Sequence, residues 1–390
     1  MKTAIYVQDM RASGVVRTMI AMARAFAAED EVTLLAARSA GIFGARDVAP
    51  ARFVAASERS PDVVGGVVGA VRGGVPARLA VVPALRRTLR ALDPDVVLSG
   101  GNFGHFSLWL ATRGLRIPVV YVFSNAMERP GQPWRNRWRR FWSGLLVRGA
   151  AGAILVGSNL AHSGVFRPHV ASGKAVLIPN GIDLAAVPAA DGTVPAPLAS
   201  PVPSILAIGR LTPQKNFEAL IDAVAAARRH RPVRLVILGS GEDRYRVALE
   251  ARTAALGIAE DVVFAGLTDD VYPWLRAARV FALASHWEGA SIALLEAMAA
   301  GTPIVASRTA GDAAEVLSNG RFGLLVDPGD AEAFAAALLR QIDSPVLPGP
   351  RVAIYDAPLM MRAYHRVLTK ARDAGRARVA PAPGGTPPIR

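Results

Sequence analysis

The chain of 390 residues has no cysteine, which excludes structural disulfides, thiolate catalysis and cysteine-ligated zinc together. Although 52% of its residues are hydrophobic, no apolar run approaches the roughly 20 residues that a membrane span requires. The segment Met1–Asp9 carries too short an apolar core for a secretory signal and reads as a first strand, so a cytoplasmic protein is expected. Zinc-finger spacing and the aromatic signature of RNA-binding sheets are also missing, which sets nucleic acid aside as a partner. Acid is the scarcer charge: 31 Asp and Glu stand against 45 Lys and Arg, a formal charge of +14. That balance favours nucleotides or the anionic face of a membrane.

The length exceeds what one hydrophobic core organises well, so two domains are expected. In the first half, short apolar runs alternate with helical stretches. The candidate strands are Thr3–Gln8, Val32–Ala36, Asp95–Ser99, Pro118–Phe123, Ala153–Val156 and Ala175–Ile178. Such alternation predicts βαβ units around a parallel sheet. Gly14 follows Ser13 where the first strand turns into a helix, a place where a ligand can approach the backbone. Residues Gly65–Pro83 read as a loop or a helix over a cleft. From Ala185 to Pro203 the chain turns rich in Ala, Pro, Gly and Ser, which marks a linker.

The second half restarts the alternation at Ser204–Gly209. Arg210 and Lys215 flank the turn that follows, where a diphosphate would meet a guanidinium fork and a compact ammonium. Further on, an apolar strand, Val280–Ala284, leads to Glu288, a glycine and a helix-forming run that opens near Ser291. A helix starting there aims free N–H groups of Ala290, Ser291 and Ile292, and its positive dipole end, back at the strand end. Ser291 is placed to cap it through its hydroxyl. Glu288 lies before that mouth and Glu296 about a turn inside, an anion-receptive start between two carboxylates that suits a sugar joined to a phosphate.

Glu288 and Glu296 with seven residues between them, followed by Ala-Met-Ala-Ala-Gly-Thr-Pro-Ile-Val-Ala-Ser, resemble the signature of retaining glycosyltransferases of the GT-B fold, family 4. The likeness covers most of Ser204–Asp343 and is thinner before it. It implies an α/β fold of two Rossmann-like domains facing a cleft. By the same resemblance Glu288 touches the donor sugar, Glu296 holds the ribose, and Arg210 and Lys215, beside Gly209, hold the diphosphate. Leu267 offers its backbone to the base, and Gly14 lies near the donor phosphate or the acceptor. Many relatives place a histidine in the loop that follows the strand Asp95–Ser99, facing the reacting sugar; here it would be His105, with Phe103 or Asn102 as other occupants of that slot. Asn125 stands where relatives often have asparagine, with Ser124 in place of the preceding histidine. Two further departures are Ser291 where proline is usual and Arg308-Thr309 where a subgroup has Cys-Pro.

The expected reaction is transfer of a sugar from a nucleotide-sugar, with UDP-sugars favoured, to a glycan or lipid-linked saccharide, with retention of configuration and without metal or other cofactor. A nucleotide-sugar epimerase of the same fold and an inactive binding subunit are the alternatives. The expected domains are 1–190 on the acceptor side, a linker at 191–203, and 204–350 on the donor side. A helix at 351–373 returns to the first domain, and a disordered tail at 374–390 ends the chain. One stretch stands outside this scheme. Trp134, Trp138 and Trp142 are spaced four apart among Arg135, Arg137, Arg139 and Arg140, so they share a helix face. The helix either rests on an anionic membrane surface or packs its tryptophans on the sheet.

Overall fold

The computed structural model describes residues 1–11, 13–57, 79–124, 126–129 and 131–377. Asn125, residues 65–78 of the Gly65–Pro83 stretch and residues 378–390 of the tail lie outside the described residues. The first sheet contains β1 (Lys2–Val7), β2 (Glu31–Ala36), β3 (Arg52–Ala55), β4 (Val96–Gly100), β5 (Val119–Phe123), β6 (Gly152–Leu155) and β7 (Ala175–Leu177). Their spatial order is β3-β2-β1-β4-β5-β6-β7, and every pairing is parallel. The second sheet contains β8 (Ser204–Ile208), β9 (Arg234–Leu238), β10 (Val262–Gly266), β11 (Val280–Leu283), β12 (Ile304–Ser307) and β13 (Leu324–Val326). It is also parallel, in the order β10-β9-β8-β11-β12-β13.

Parallel strands covered on both faces read as unbroken apolar runs rather than as alternation. Their side chains nonetheless divide by the two-residue period of a strand. Ile5 and Val7 enter one core of the first domain, and Ala4 and Tyr6 the core on the other face. Ile205 and Ala207 are separated from Leu206 in the same way in the second domain. These are two Rossmann-like domains, as expected from the sequence. The edge strand β3 was not anticipated; its four residues begin with an exposed Arg52 and are otherwise only half-buried, too weak a pattern to stand out.

Four helices position the site: α1 (Gly14–Phe26), α2 (Pro133–Gly149), α3 (Ile292–Ala299) and α4 (Ala357–Ala377). The last of these crosses back to the first domain. Met360, Tyr364, Leu368 and Ala371 follow a helical period and join the core beside Ile5, Val120 and Ile154. Burying a large apolar side chain contributes about 1.5–3 kcal/mol, so Tyr364 and Leu368, at 1% and 0% exposure, bind this helix firmly to the first sheet. The two chain crossings lie side by side. Ile182 N–H donates to Tyr355 O at 2.8 Å and Ala357 N–H to Ile182 O at 2.8 Å. Gly181 is needed there because a Cβ would come within 2.8 Å of Ala357 Cα.

In each sheet the strand order reverses at one place, between β1 and β4 and between β8 and β11. Ligands of open α/β sheets bind outside the carboxyl ends of the strands at such a switch point. The loops after β1 and β4 belong to the first domain and those after β8 and β11 to the second. Gly14, His105, Arg210, Lys215 and Glu288 all follow these four strands.

Candidate active site

The loop after β8 and the loop after β11 are laced together, which brings residues distant in sequence to one point. Asn216, in a left-handed conformation that asparagine tolerates (φ 53°), donates its side chain to Ala284 O at 3.2 Å. His286 N–H donates to Gln214 O at 3.0 Å, and Gln214 Nε2 donates to Trp287 O at 3.0 Å. Between these ties, Lys215 Nζ donates to Glu288 Oε1 at 2.5 Å. Ser285 Oγ donates to the same oxygen at 2.8 Å, and Gln214 Nε2 reaches Oε2 at 3.3 Å. Both members of the ion pair are largely buried, with side-chain exposures of 16% and 9%.

Two glycines make this packing possible. A Cβ on Gly209 would meet Lys215 Cε at 2.9 Å, so its bare backbone is the bed on which the lysine stem lies. Gly311, at φ +63°, would push a Cβ to 2.9 Å from Glu288 Cβ. Arg210 follows Gly209 at the carboxyl end of the sheet; it is exposed, and no carboxylate among the described residues pairs with it.

Opposite these residues stands the first domain. Gly14 opens α1, whose N-cap Ser13 accepts from Val16 N–H at 3.2 Å. A Cβ on Gly14 would sit 4.0 Å from Ile292 Cγ1, the first residue of α3, so two helix N-termini face each other across the gap. Gly157 closes the approach on another side, where a Cβ would come within 2.6 Å of Gly289 O. Glu296 is half-buried inside α3. Burial raises its carboxyl above the usual range, Arg17 of α1 opposes that rise, and Asp270 adds to it. Leu267 is 77% exposed just after Gly266, whose φ of +78° suits glycine.

Several expectations need correction. Ser291 does occupy the N-cap of α3, and Ala290 and Ile292 flank it, but its hydroxyl makes no capping bond and is buried without a partner among the described residues. On the helix after β6, Gly157 takes the N-cap position and Ser158 begins the helix. His105 does not face the cleft. It is 2% exposed, Ser99 Oγ lies 2.8 Å from Nδ1, and Nε2 lies 3.0 Å from Val122 O. Tyr121 and Phe123 contact its ring edge-on. Burial pulls its pKa down to about 4, so it is a neutral brace between β4 and β5. Asn102 instead holds the end of β5, accepting from Ser124 N–H at 3.1 Å. The chain's one Asp-x-Asp, Asp93–Asp95, lies at the opposite, amino end of the strands, where Asp95 accepts from Lys2 N–H and Arg376.

Three residues went unnoticed in the sequence. Arg17 and Arg129 are single cations in a basic chain. Asp312 stands in an ordinary-looking turn, yet it is 6% exposed, takes a hydrogen bond from Ser291 N–H, and has Oδ1 without a partner among the described residues. Burial, then Glu315 and Glu288, push its carboxyl up to about 7.

Two Rossmann-like domains with switch points and helix mouths turned on one cleft define the GT-B class of glycosyltransferases. Residues 12–186 match the family model described as Glycosyltransferase Family 4, and residues 202–344 the one described as Glycosyl transferases group 1. A phosphatidyl-myo-inositol mannosyltransferase of Mycobacterium leprae is 31% identical over 331 residues, 76% of this chain and 81% of that one. The lipopolysaccharide core biosynthesis glycosyltransferase LpsE of Rhizobium meliloti is 40% identical over 136 residues, 35% of this chain and 38% of its own length. HepE of Anabaena, solved with UDP and glucose, has the same fold with a TM-score of 0.74 at 19% identity, covering 95% of this chain and 99% of that one. The chain belongs to the family 4 glycosyltransferases of the GT-B fold, enzymes that draw on nucleotide-sugar donors.

Proposed function

We propose that this enzyme transfers a hexosyl or N-acetylhexosaminyl group from a nucleotide-sugar, with a UDP-sugar the first choice, to a saccharide or lipid-linked saccharide, with retention of configuration and without a metal ion. The observation that carries the reading is the Lys215–Glu288 pair at the mouth of α3, facing the N-terminus of α1. As the bond between the anomeric carbon and the phosphate oxygen breaks, negative charge grows on the departing diphosphate. In this reading Lys215, Arg210 and the N–H groups at Ser291 and Ile292 meet that charge, and such pre-aimed charge is often the largest catalytic term. They supply what a divalent ion supplies elsewhere. Glu288 orients the sugar, Glu296 the ribose, and the acceptor hydroxyl forms the new bond on the face the diphosphate leaves, giving its proton to the departing phosphate oxygen. Uridine is favoured because HepE of Anabaena holds UDP.

The test is turnover of UDP-, GDP- and ADP-sugars by purified protein, with and without saccharide acceptors. One donor should be consumed, and Arg210→Ala should slow that consumption by about 100-fold or more. A donor converted to an isomer without acceptor, or no donor consumed at all, would sink the transferase reading.

The acceptor side favours a membrane. In α2, Trp134 is 74% exposed, Trp138 55% and Phe141 59%, all at helical spacing on one face. Only Trp142 turns inward, against Phe106 and Trp109. Exposed aromatics among Arg135, Arg137 and Arg140 make an interfacial surface for anionic lipid. Among the described residues no helix is long and apolar enough to cross a membrane, so attachment would be peripheral, at the inner face of the cytoplasmic membrane. Wild-type protein is expected to float with anionic vesicles and Trp138→Ala/Arg137→Glu to stay behind. Equal flotation of the two would end the idea.

A further inference from the structure

Arg129 lies in the first domain on the wall that faces Glu288 across the cleft. One cavity of about 520 Å³ is lined by Arg129, Asn136 and Asn159 from that wall and by His286, Trp287 and Glu288 from the second domain. It therefore runs from the donor-sugar position towards the acceptor domain. Arg129 is held rather than free: Asn136 Oδ1 accepts from its N–H at 3.0 Å, and Asn136 Nδ2 donates to its carbonyl at 3.0 Å. Behind it, the Arg139 guanidinium donates to Asn136 and Gln132.

What this cluster lacks is an acid. Glu128, the residue before Arg129, also lines the cavity, but its carboxylate pairs with Arg140 at 2.7 Å. Among the described residues no carboxylate pairs with Arg129 or Arg139, and Arg129 Nε is buried without a partner. Desolvation first, then the neighbouring cations, hold both guanidiniums below their usual range. Like charges fixed together in a partly dry site repel one another, and an oxyanion placed between them would relieve that repulsion. A guanidinium fork is the side chain best matched to a phosphate or carboxylate.

We infer that Arg129, backed by Arg139, binds an oxyanion carried by the acceptor, a phosphate or carboxylate close to the hydroxyl that receives the sugar. The inference rests on the transferase reading and adds to it that the acceptor is anionic. The negative charge sits within the cavity that holds the reacting hydroxyl, so a neutral saccharide would leave the cluster unmatched.

The test begins with inorganic phosphate titrated calorimetrically into protein saturated with the nucleoside diphosphate that stabilises it most, so that the donor site is filled. Wild type should bind phosphate, Arg129→Gln should lose at least tenfold in affinity, and Arg129→Lys should keep part of it. Circular dichroism and the unfolding temperature establish that each variant is folded. Arg139→Gln, which leaves Arg129 in place, should weaken binding less than Arg129→Gln. No phosphate binding by wild type, or equal binding by a folded Arg129→Gln variant, would overturn the inference. Acceptor assays then separate the sources: a soluble sugar phosphate, a hexuronate, and vesicles carrying a diphosphate-linked saccharide. Arg129→Gln should raise KM at least tenfold for whichever charged acceptor is used. Equal use of a neutral glycoside and its charged counterpart by wild type would also overturn it. Failure of the broader reading looks different, because the wild type would then consume no donor at all.

Discussion

Lys215→Met is expected to cut kcat by about 10²–10³-fold, the usual cost of removing one pre-aimed donor from a charge-stabilising site. Methionine keeps the stem that lies on Gly209 while discarding the ammonium. Stability should fall as well, since removing one partner of a buried ion pair costs about 3–5 kcal/mol. Ser285 and Gln214 still serve Glu288 and should reduce that penalty. The two effects part company in Lys215→Met/Glu288→Gln. Without a charge to leave stranded, the double variant should regain most of its unfolding temperature and none of its turnover. Transfer at the wild-type rate by folded Lys215→Met protein would refute the role given to the ammonium.

Asp312→Asn should make the protein more stable in alkali and leave it unchanged in acid. The carboxyl is pushed from 3.8 up to about 7, chiefly by burial. Between those pH values the folded chain keeps a proton that the unfolded chain releases. The stability this group contributes is therefore fully present below pH 3.8 and is lost as pH rises through 7. At 1.36 kcal/mol per pH unit, crossing that window amounts to at most about 4 kcal/mol. Asparagine has no proton to lose, and its amide oxygen can still accept from Ser291 N–H. Urea unfolding at pH 8 should thus show a variant more stable by about 2–4 kcal/mol, and the two proteins should coincide near pH 4. A variant no more stable than wild type at pH 8 would show that Asp312 is not a buried acid.

The fold was written in the alternation of apolar runs and helical stretches, and the six strands expected in the first half lie within a residue or two of their observed ends. The meeting of Lys215 with Glu288 was equally open to reading. It depends on spacing along the chain: a glycine, an arginine and a lysine around one turn, then two glutamates with seven residues between them. What escaped depends on contacts between distant segments. His105 sits in a glycine-rich stretch that looks like an exposed loop, and only the pairing of β4 with β5 puts it under Tyr121 and Phe123. Arg17 acquires meaning from Glu296 across the cleft, and Asp312 from the buried start of α3. The tryptophans of α2 divide between core and solvent in a way their spacing does not reveal, because only Trp142 finds Trp109 within reach.

The paired crossings at Ile182 and Tyr355–Ala357 have a mechanical consequence. Two lengths of backbone stitched to each other act as one pin, so the halves of the molecule are joined along a single line rather than by two separate links. That pin accompanies one register of the facing surfaces, Gly14 against Ile292 and Gly157 against Gly289.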